Sequence, residues 1–108
     1  AAIIAKKGDR GEIPGCVIDG PLALDVAIDM ESVKIKKIKS PVAGDADCIV
    51  FPNIESGNVF YKCNSKLSTG VEMAAMVVGA KVPCVLSSRA DSIETKLNSI
   101  ALAALSAK

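Results

Sequence analysis

The sequence predicts an α/β fold in three layers, with strands covered on both faces by helices. Three observations carry this. Short apolar runs bounded by Gly and Pro alternate with longer segments whose apolar residues recur at helical spacing. Half of the 108 residues are apolar while only 3% are aromatic, a balance that suits strands buried on both sides. No linker, repeat or low-complexity tract interrupts the alternation, so the length amounts to one compact unit or part of one.

Residues 1–5 read as the end of a helix that closes at Lys6-Lys7-Gly8, with cations and a glycine where a helix C-terminus favours them. Residues 13–19 (IPGCVID) read as a first strand. Gly20-Pro21 then opens a helix whose Leu22, Val26, Met30 and Val33 share one face. It dissolves into Lys34-Ile35-Lys36-Lys37-Ile38-Lys39, which reads as a solvated helix end; no aromatic residue interleaves the lysines, as a nucleic-acid patch would want. Ser40-Pro41 breaks the chain. Residues 48–51 (CIVF) read as a second strand, ended by Pro52-Asn53. A helix follows with Val59, Cys63 and Leu67 on one stripe and Phe60 beside them, stopped by Ser68-Thr69-Gly70. Residues 73–78 and 83–86 read as third and fourth strands joined through Gly79-Ala80-Lys81. The last helix is the most clearly marked: Ile93, Leu97, Ile100, Ala101, Ala104 and Leu105 keep one face. Asp91, with Glu94 three residues on, reads as its capping pair.

Composition removes several classes of function. Thirteen Lys and Arg against twelve Asp and Glu leave a net charge of +1, which excludes a nucleic-acid binder working through bulk charge and an acidic disordered tail. The chain has no His, so Ser-His-Asp triads, Cys-His dyads and His-ligated zinc are excluded within it. Cys16, Cys48, Cys63 and Cys84 form no CxxC pair and lie in or beside apolar runs. They read as small buried thiols of a reduced, cytoplasmic protein. The apolar run before Lys6-Lys7 is too short for a secretory signal, and no 18-residue apolar stretch occurs. The first residue is Ala1 rather than Met, as in a processed chain or a piece of a longer one.

Two places could carry chemistry. Ser87-Ser88-Arg89 lies between a predicted strand and the final helix, where helix N–H groups face anions; two hydroxyls and a guanidinium there suit a phosphate or a thioester oxygen. The plain alternative is that Ser88 is a cap and Arg89 a surface charge. The second place is Glu55-Ser56-Gly57-Asn58, with Tyr61-Lys62 a turn later. Gly costs about 1 kcal/mol against Ala inside a helix, so a close backbone approach or a ligand would explain Gly57; ordinary helix-start chemistry is the alternative. Lys62 is placed to meet an anion, or is simply solvated. Gly8-Asp9-Arg10-Gly11 has no dinucleotide fingerprint, and no GxGxxG or GxxxxGK[ST] occurs.

Three stretches make a larger pattern. These are Asp19-Gly20-Pro21-Leu22-Ala23-Leu24-Asp25; Val42-Ala43-Gly44-Asp45-Ala46-Asp47 leading to Phe51-Pro52, Gly57-Asn58 and Tyr61-Lys62; and Ser88-Arg89-Ala90-Asp91-Ser92 followed by Asn98-Ser99-Ile100-Ala101-Leu102-Ala103. In this order and spacing they resemble the signatures of the phosphate acetyl/butyryl transferase family, and they cover nearly the whole chain. The resemblance implies two α/β domains flanking a cleft, as in isocitrate/isopropylmalate dehydrogenases, assembled as a homodimer or larger homo-oligomer. This segment would be the carboxyl-terminal third, with about 1–86 in the second domain and about 87–108 returning to the first.

The implied reaction is acyl-CoA plus phosphate giving acyl phosphate plus CoA by direct transfer, with coenzyme A as co-substrate and no permanently bound cofactor. Arg89 would hold phosphate, and Ser88 would donate a hydrogen bond rather than act as nucleophile. Ser87, Gly79, Asn58 and Lys62 are the candidate substrate-binding residues. In the acetyl branch an acidic residue stands seven positions after the serine. Here that position is Thr95, which joins Ser88 and Arg89 as a candidate catalytic residue, while its neighbour Glu94 points about 100° away on a helix. Asp19 to Asp25 and Ser88 to Ser92 look more like the butyryl and branched-chain branch; the acetyl branch is the alternative. The 108 residues alone are expected to be inactive, because the cleft needs arginines and CoA contacts from the first domain. A non-catalytic oligomerisation module of the same fold is an alternative. A nicotinamide- and metal-dependent sister enzyme is disfavoured, since Asp45 and Asp47 have no third acidic partner in view.

Overall fold

The computed structural model describes residues 1–107. They form two compact units, the first spanning residues 1–53 and the second beginning at Ile54. The first holds helices α1 (Ala2–Asp9), α2 (Leu24–Ile28) and α3 (Met30–Lys36); the second holds α4 (Ile54–Leu67) and α5 (Ile93–Ser106).

Helix α1 carries Lys6 and Lys7 in its last turn as expected and runs on through Gly8 to Asp9. The helix predicted to follow Gly20-Pro21 is two helices instead. Asp29 leaves helical geometry (φ −128°, ψ 115°), and its carboxylate accepts from Glu31 N–H at 3.3 Å and Ser32 N–H at 2.8 Å. Apolar periodicity runs straight through this break, but a side chain able to cap its own successor ends one helix and starts another. Lys36 pairs with Asp25, joining the two short helices. Lys37 then closes α3 in the left-handed region (φ 52°), so the basic run does stand at a helix end.

The centre of this unit is small. Val26, Ala27 and Ala43 are buried, and the 42–47 turn is tied to α2 by Gly44 N–H donating to Val26 O (2.8 Å) and Ala46 N–H donating to Ala27 O (3.1 Å). Gly44 has φ +80°, and a Cβ there would lie 2.9 Å from Met30 Cε and 3.0 Å from Met30 Cα. Only glycine meets both demands without strain.

In the second unit α5 is capped by Ser92, whose Oγ accepts from Thr95 N–H at 3.1 Å. The expected capping pair of Asp91 and Glu94 is therefore displaced by one residue. The buried face of α5 also differs from the expected one. Ser99 and Ala103 are buried while Ile93, Leu97, Ile100 and Leu105 are exposed. The helix packs through its small residues: Ser99 Oγ donates to Thr95 O at 2.6 Å and accepts from Ala75 N–H at 2.9 Å.

None of the four predicted strands, 13–19, 48–51, 73–78 and 83–86, forms a ladder among the described residues. The single pairing is an antiparallel bridge between Val77 and Cys84, with Val77 N–H donating to Cys84 O at 2.8 Å. A strand needs a neighbour to satisfy its backbone groups, and an isolated pair is marginal in water. The bridge does join the third and fourth predicted segments, across a reversal in which Gly79 has φ +93°. Val50, Val78 and Leu86 are more than three-quarters exposed, so the apolar runs that suggested buried strands are not covered here. All four cysteines are free and exposed, contrary to the expected burial, because they belong to those same uncovered runs or to the outer face of α4.

Candidate active site at the Ser88–Asp91 turn

Ser88, Arg89, Ala90 and Asp91 make a tight turn just before α5. Asp91 N–H donates to Ser88 O at 3.1 Å, and Ser88 N–H donates to Asp91 Oδ2 at 2.7 Å. Serine at the first position and aspartate at the fourth thus close the turn from both ends.

Helix α4 grips this turn from one side. Tyr61 OH donates to Asp91 Oδ2 at 2.9 Å, Lys62 Nζ donates to Ser88 Oγ at 3.0 Å, and Lys66 Nζ donates to Ala90 O at 2.9 Å. Lys62 and Lys66 are one turn apart and share a face, which is why both reach the same loop. From α5, Lys96 Nζ donates to Arg89 O at 3.4 Å. Lys62 Nζ also stands 5.2 Å from the centre of the Tyr61 ring, within cation–π range.

Ser88 Oγ accepts twice, from Lys62 and from Ala90 N–H at 3.4 Å. A hydroxyl with both acceptor sites occupied points its own hydrogen elsewhere, so Ser88 is set up as a donor. A serine nucleophile needs a neighbour that takes its proton, whereas the group at this Oγ is an ammonium. Burial raises the Tyr61 phenol above its ordinary value, and its hydrogen bond to the Asp91 carboxylate pushes in the same direction.

The structure brings Ser88 and Lys62 into direct contact. Arg89 lies on the same turn with its side chain exposed, and Ser87 precedes the turn, half-buried. Asn58 lies on α4 one turn before Lys62, exposed. Gly79 sits in the exposed reversal between Val77 and Cys84, with open space where a Cβ would be. Thr95 is in the first turn of α5, where its Oγ1 accepts from Ser92 Oγ at 3.0 Å.

Tyr61, Lys66 and Asp91 are not among the site residues expected from the sequence, although Tyr61 and Asp91 stand in its motifs. Tyr61 is the sole tyrosine of the chain, and Asp91 follows Ser88 at the spacing that closes a turn; those were the legible signals. Among the described residues no group of three or more His, Cys, Asp or Glu side chains is placed to share a metal ion, and no helix is long and apolar enough to cross a membrane.

The family model described as phosphate acetyl/butaryl transferase matches residues 4–104, a span that contains this whole constellation. The chain belongs to that family. It is 53% identical over 105 residues to the phosphate butyryltransferase of Clostridium acetobutylicum, covering 97% of this chain and 35% of that protein. It is 50% identical, again over 105 residues, to the phosphate acetyltransferase of Thermotoga maritima, with the same coverages of 97% and 35%. A branched-chain phosphotransacylase from Enterococcus faecalis, known from its crystal structure, superposes with a TM-score of 0.76 at 37% identity, over 95% of this chain and 39% of that one. The chain therefore shares a phosphotransacylase fold and spans about a third of the length of the relatives it matches.

Proposed function

We propose that this segment carries the phosphate-side half of an active site that moves a short acyl group between coenzyme A and inorganic phosphate. In the direct reaction a phosphate oxygen attacks the thioester carbonyl carbon, a C–O bond forms, the C–S bond breaks, and CoA leaves with the electron pair on sulfur. Arg89 holds the phosphate as a forked donor beside the thioester. Ser88 donates to the oxygen or sulfur on which charge grows, with Lys62 behind it as the cation that polarises its hydroxyl. Ser87, Asn58 and Gly79 line the approach of the substrates.

The observation that carries this reading is the Lys62 Nζ to Ser88 Oγ hydrogen bond, which leaves the serine hydrogen for a substrate. The acyl group we propose is butyryl or branched, supported by the motifs at 19–25 and 88–92 and by the similarity to a branched-chain phosphotransacylase. Within the whole protein we propose a three-layer α/β/α arrangement in which segments 13–19, 48–51, 73–78 and 83–86 pair as strands. Residues 1–86 would belong to the second domain, and the final helix would return to the first. A homodimer or larger homo-oligomer in the cytoplasm completes the reading; four free thiols suit a reducing compartment.

The test is phosphate-dependent thiol release from butyryl-CoA and acetyl-CoA by the full-length chain that carries this segment, with Arg89→Ala alongside. Butyryl activity lost on substitution supports the reaction, the branch and the phosphate site together. A folded protein that releases no thiol from either thioester overturns the reading. The isolated 108 residues should release none.

A further inference from the structure

Asp91 is only 8% exposed, yet its two carboxylate oxygens are treated very differently. Oδ2 accepts both the Ser88 N–H and the Tyr61 hydroxyl, while Oδ1 is buried with no hydrogen-bond partner. Burying a carboxylate oxygen without a partner is costly. The start of α5 does not require that cost, because Ser92 already caps the helix. What the carboxylate does accomplish is to hold the Ser88 backbone from one side and the tyrosine next to Lys62 from the other.

Resting on the transferase reading above, we propose that Asp91 is a positioning residue for Ser88. It ties the Ser88–Asp91 turn to α4 through Tyr61, and so sets the separation at which Lys62 meets the serine hydroxyl. The chain of contacts runs Ser88 N–H, Asp91 Oδ2, Tyr61 OH, then along one residue of α4 to Lys62 and back to Ser88 Oγ. It is a closed ring, and three of its members, Tyr61, Asp91 and Ser88, come from positions 30 and 3 residues apart in the chain. Removing Asp91 opens the ring at two bonds. Removing the Tyr61 hydroxyl opens it at one and leaves the turn itself closed.

The variants Asp91→Ala, Asp91→Asn and Tyr61→Phe in the full-length chain test this, with kcat and the KM for each substrate measured separately. Asp91→Ala should lower kcat about 10- to 100-fold, the scale of a lost charge-assisted hydrogen bond, with KM for acyl-CoA within about twofold. Asp91→Asn keeps an acceptor where Oδ2 stands and should recover most of kcat. Tyr61→Phe should fall between wild type and Asp91→Ala. The Ser88 amide proton should exchange faster with solvent in Asp91→Ala and stay protected in Tyr61→Phe.

Wild-type kcat in Asp91→Ala overturns the positioning role and leaves the transferase reading intact. So does a loss confined to the amount of folded enzyme, with kcat per active site unchanged. If Asp91→Ala does not fold, unchanged kcat in Tyr61→Phe overturns the role by itself. A wild-type chain inactive on both thioesters overturns the transferase reading first, and the positioning role with it.

Discussion

Lys62 Nζ donates to Ser88 Oγ at 3.0 Å, joining the middle of one helix to the turn that precedes the next across 26 positions of chain. Both residues were candidates on sequence grounds, but nothing in their local surroundings says that they touch. The contact turns two unremarkable polar residues into a polarised donor.

The first expectation concerns that cation. Lys62→Met, which keeps the length of the side chain and removes its charge, should lower kcat about 10- to 100-fold in the full-length chain. Lys62→Arg should retain more activity than Met, because it still offers N–H groups to Ser88. Equal losses in the two variants would show that charge at this position does not act through the serine.

Ser88 should behave as a donor. Ser88→Ala is expected to cost about 10²- to 10³-fold in kcat, as loss of one preorganised donor does, while leaving measurable turnover. Mass spectrometry of the wild-type chain quenched during turnover should find no acyl group on Ser88. An acylated Ser88 that forms and decays at the turnover rate would contradict direct transfer.

The tyrosine gives a spectroscopic handle. Burial and the Asp91 carboxylate both hold the Tyr61 phenol above its ordinary range. Asp91→Asn removes the charge and should bring its titration down toward that range, while burial keeps it from returning fully. The Cζ resonance of labelled tyrosine, assigned with Tyr61→Phe, reports it.

Acid should loosen the first unit through two aspartates. Lys36 holds the Asp25 carboxyl below its usual range, and hydrogen bonds from Ser32, then from Glu31 N–H, do the same for Asp29. A depressed folded-state pKa means that the stabilisation is present above the unfolded value of 3.8 and is lost as pH falls through the lower folded one. Helix α3 should therefore fray from its N-terminus as pH drops below about 4. Asp29→Asn should make that fraying nearly independent of pH, since its side chain still caps but no longer titrates. Backbone amide shifts across residues 24–36 are the measurement.

Gly44→Ala should destabilise the protein by about 1–3 kcal/mol, because it combines an unfavourable backbone conformation with a methyl group pressed on Met30. Gly79→Ala, at positive φ but in open space, should cost less. Urea unfolding of the two variants side by side separates crowding from backbone strain.

The sequence by itself determined where α1, α4 and α5 lie. Lys6-Lys7, the Val59-Cys63-Leu67 stripe closed by Ser68-Thr69-Gly70, and the periodic apolar run from Ile93 are local signals, carried by hydrogen bonds within a few residues, and α1, α4 and α5 follow them. Family membership was legible for a similar reason, since the motifs are runs of adjacent residues. Other features were not legible. Apolar periodicity does not reveal that Asp29 caps its own successor, or that α5 buries Ser99 and Ala103 rather than its leucines and isoleucines. Strand character in 13–19, 48–51, 73–78 and 83–86 depends on hydrogen bonds to other chain segments, and composition measures only the tendency to make them. The site belongs to this second kind. Ser88 and Lys62 were visible as residues, but their bond, and the Asp91–Tyr61 link beside it, exist because α4 packs against the turn before α5, and that packing is a property of the tertiary structure alone.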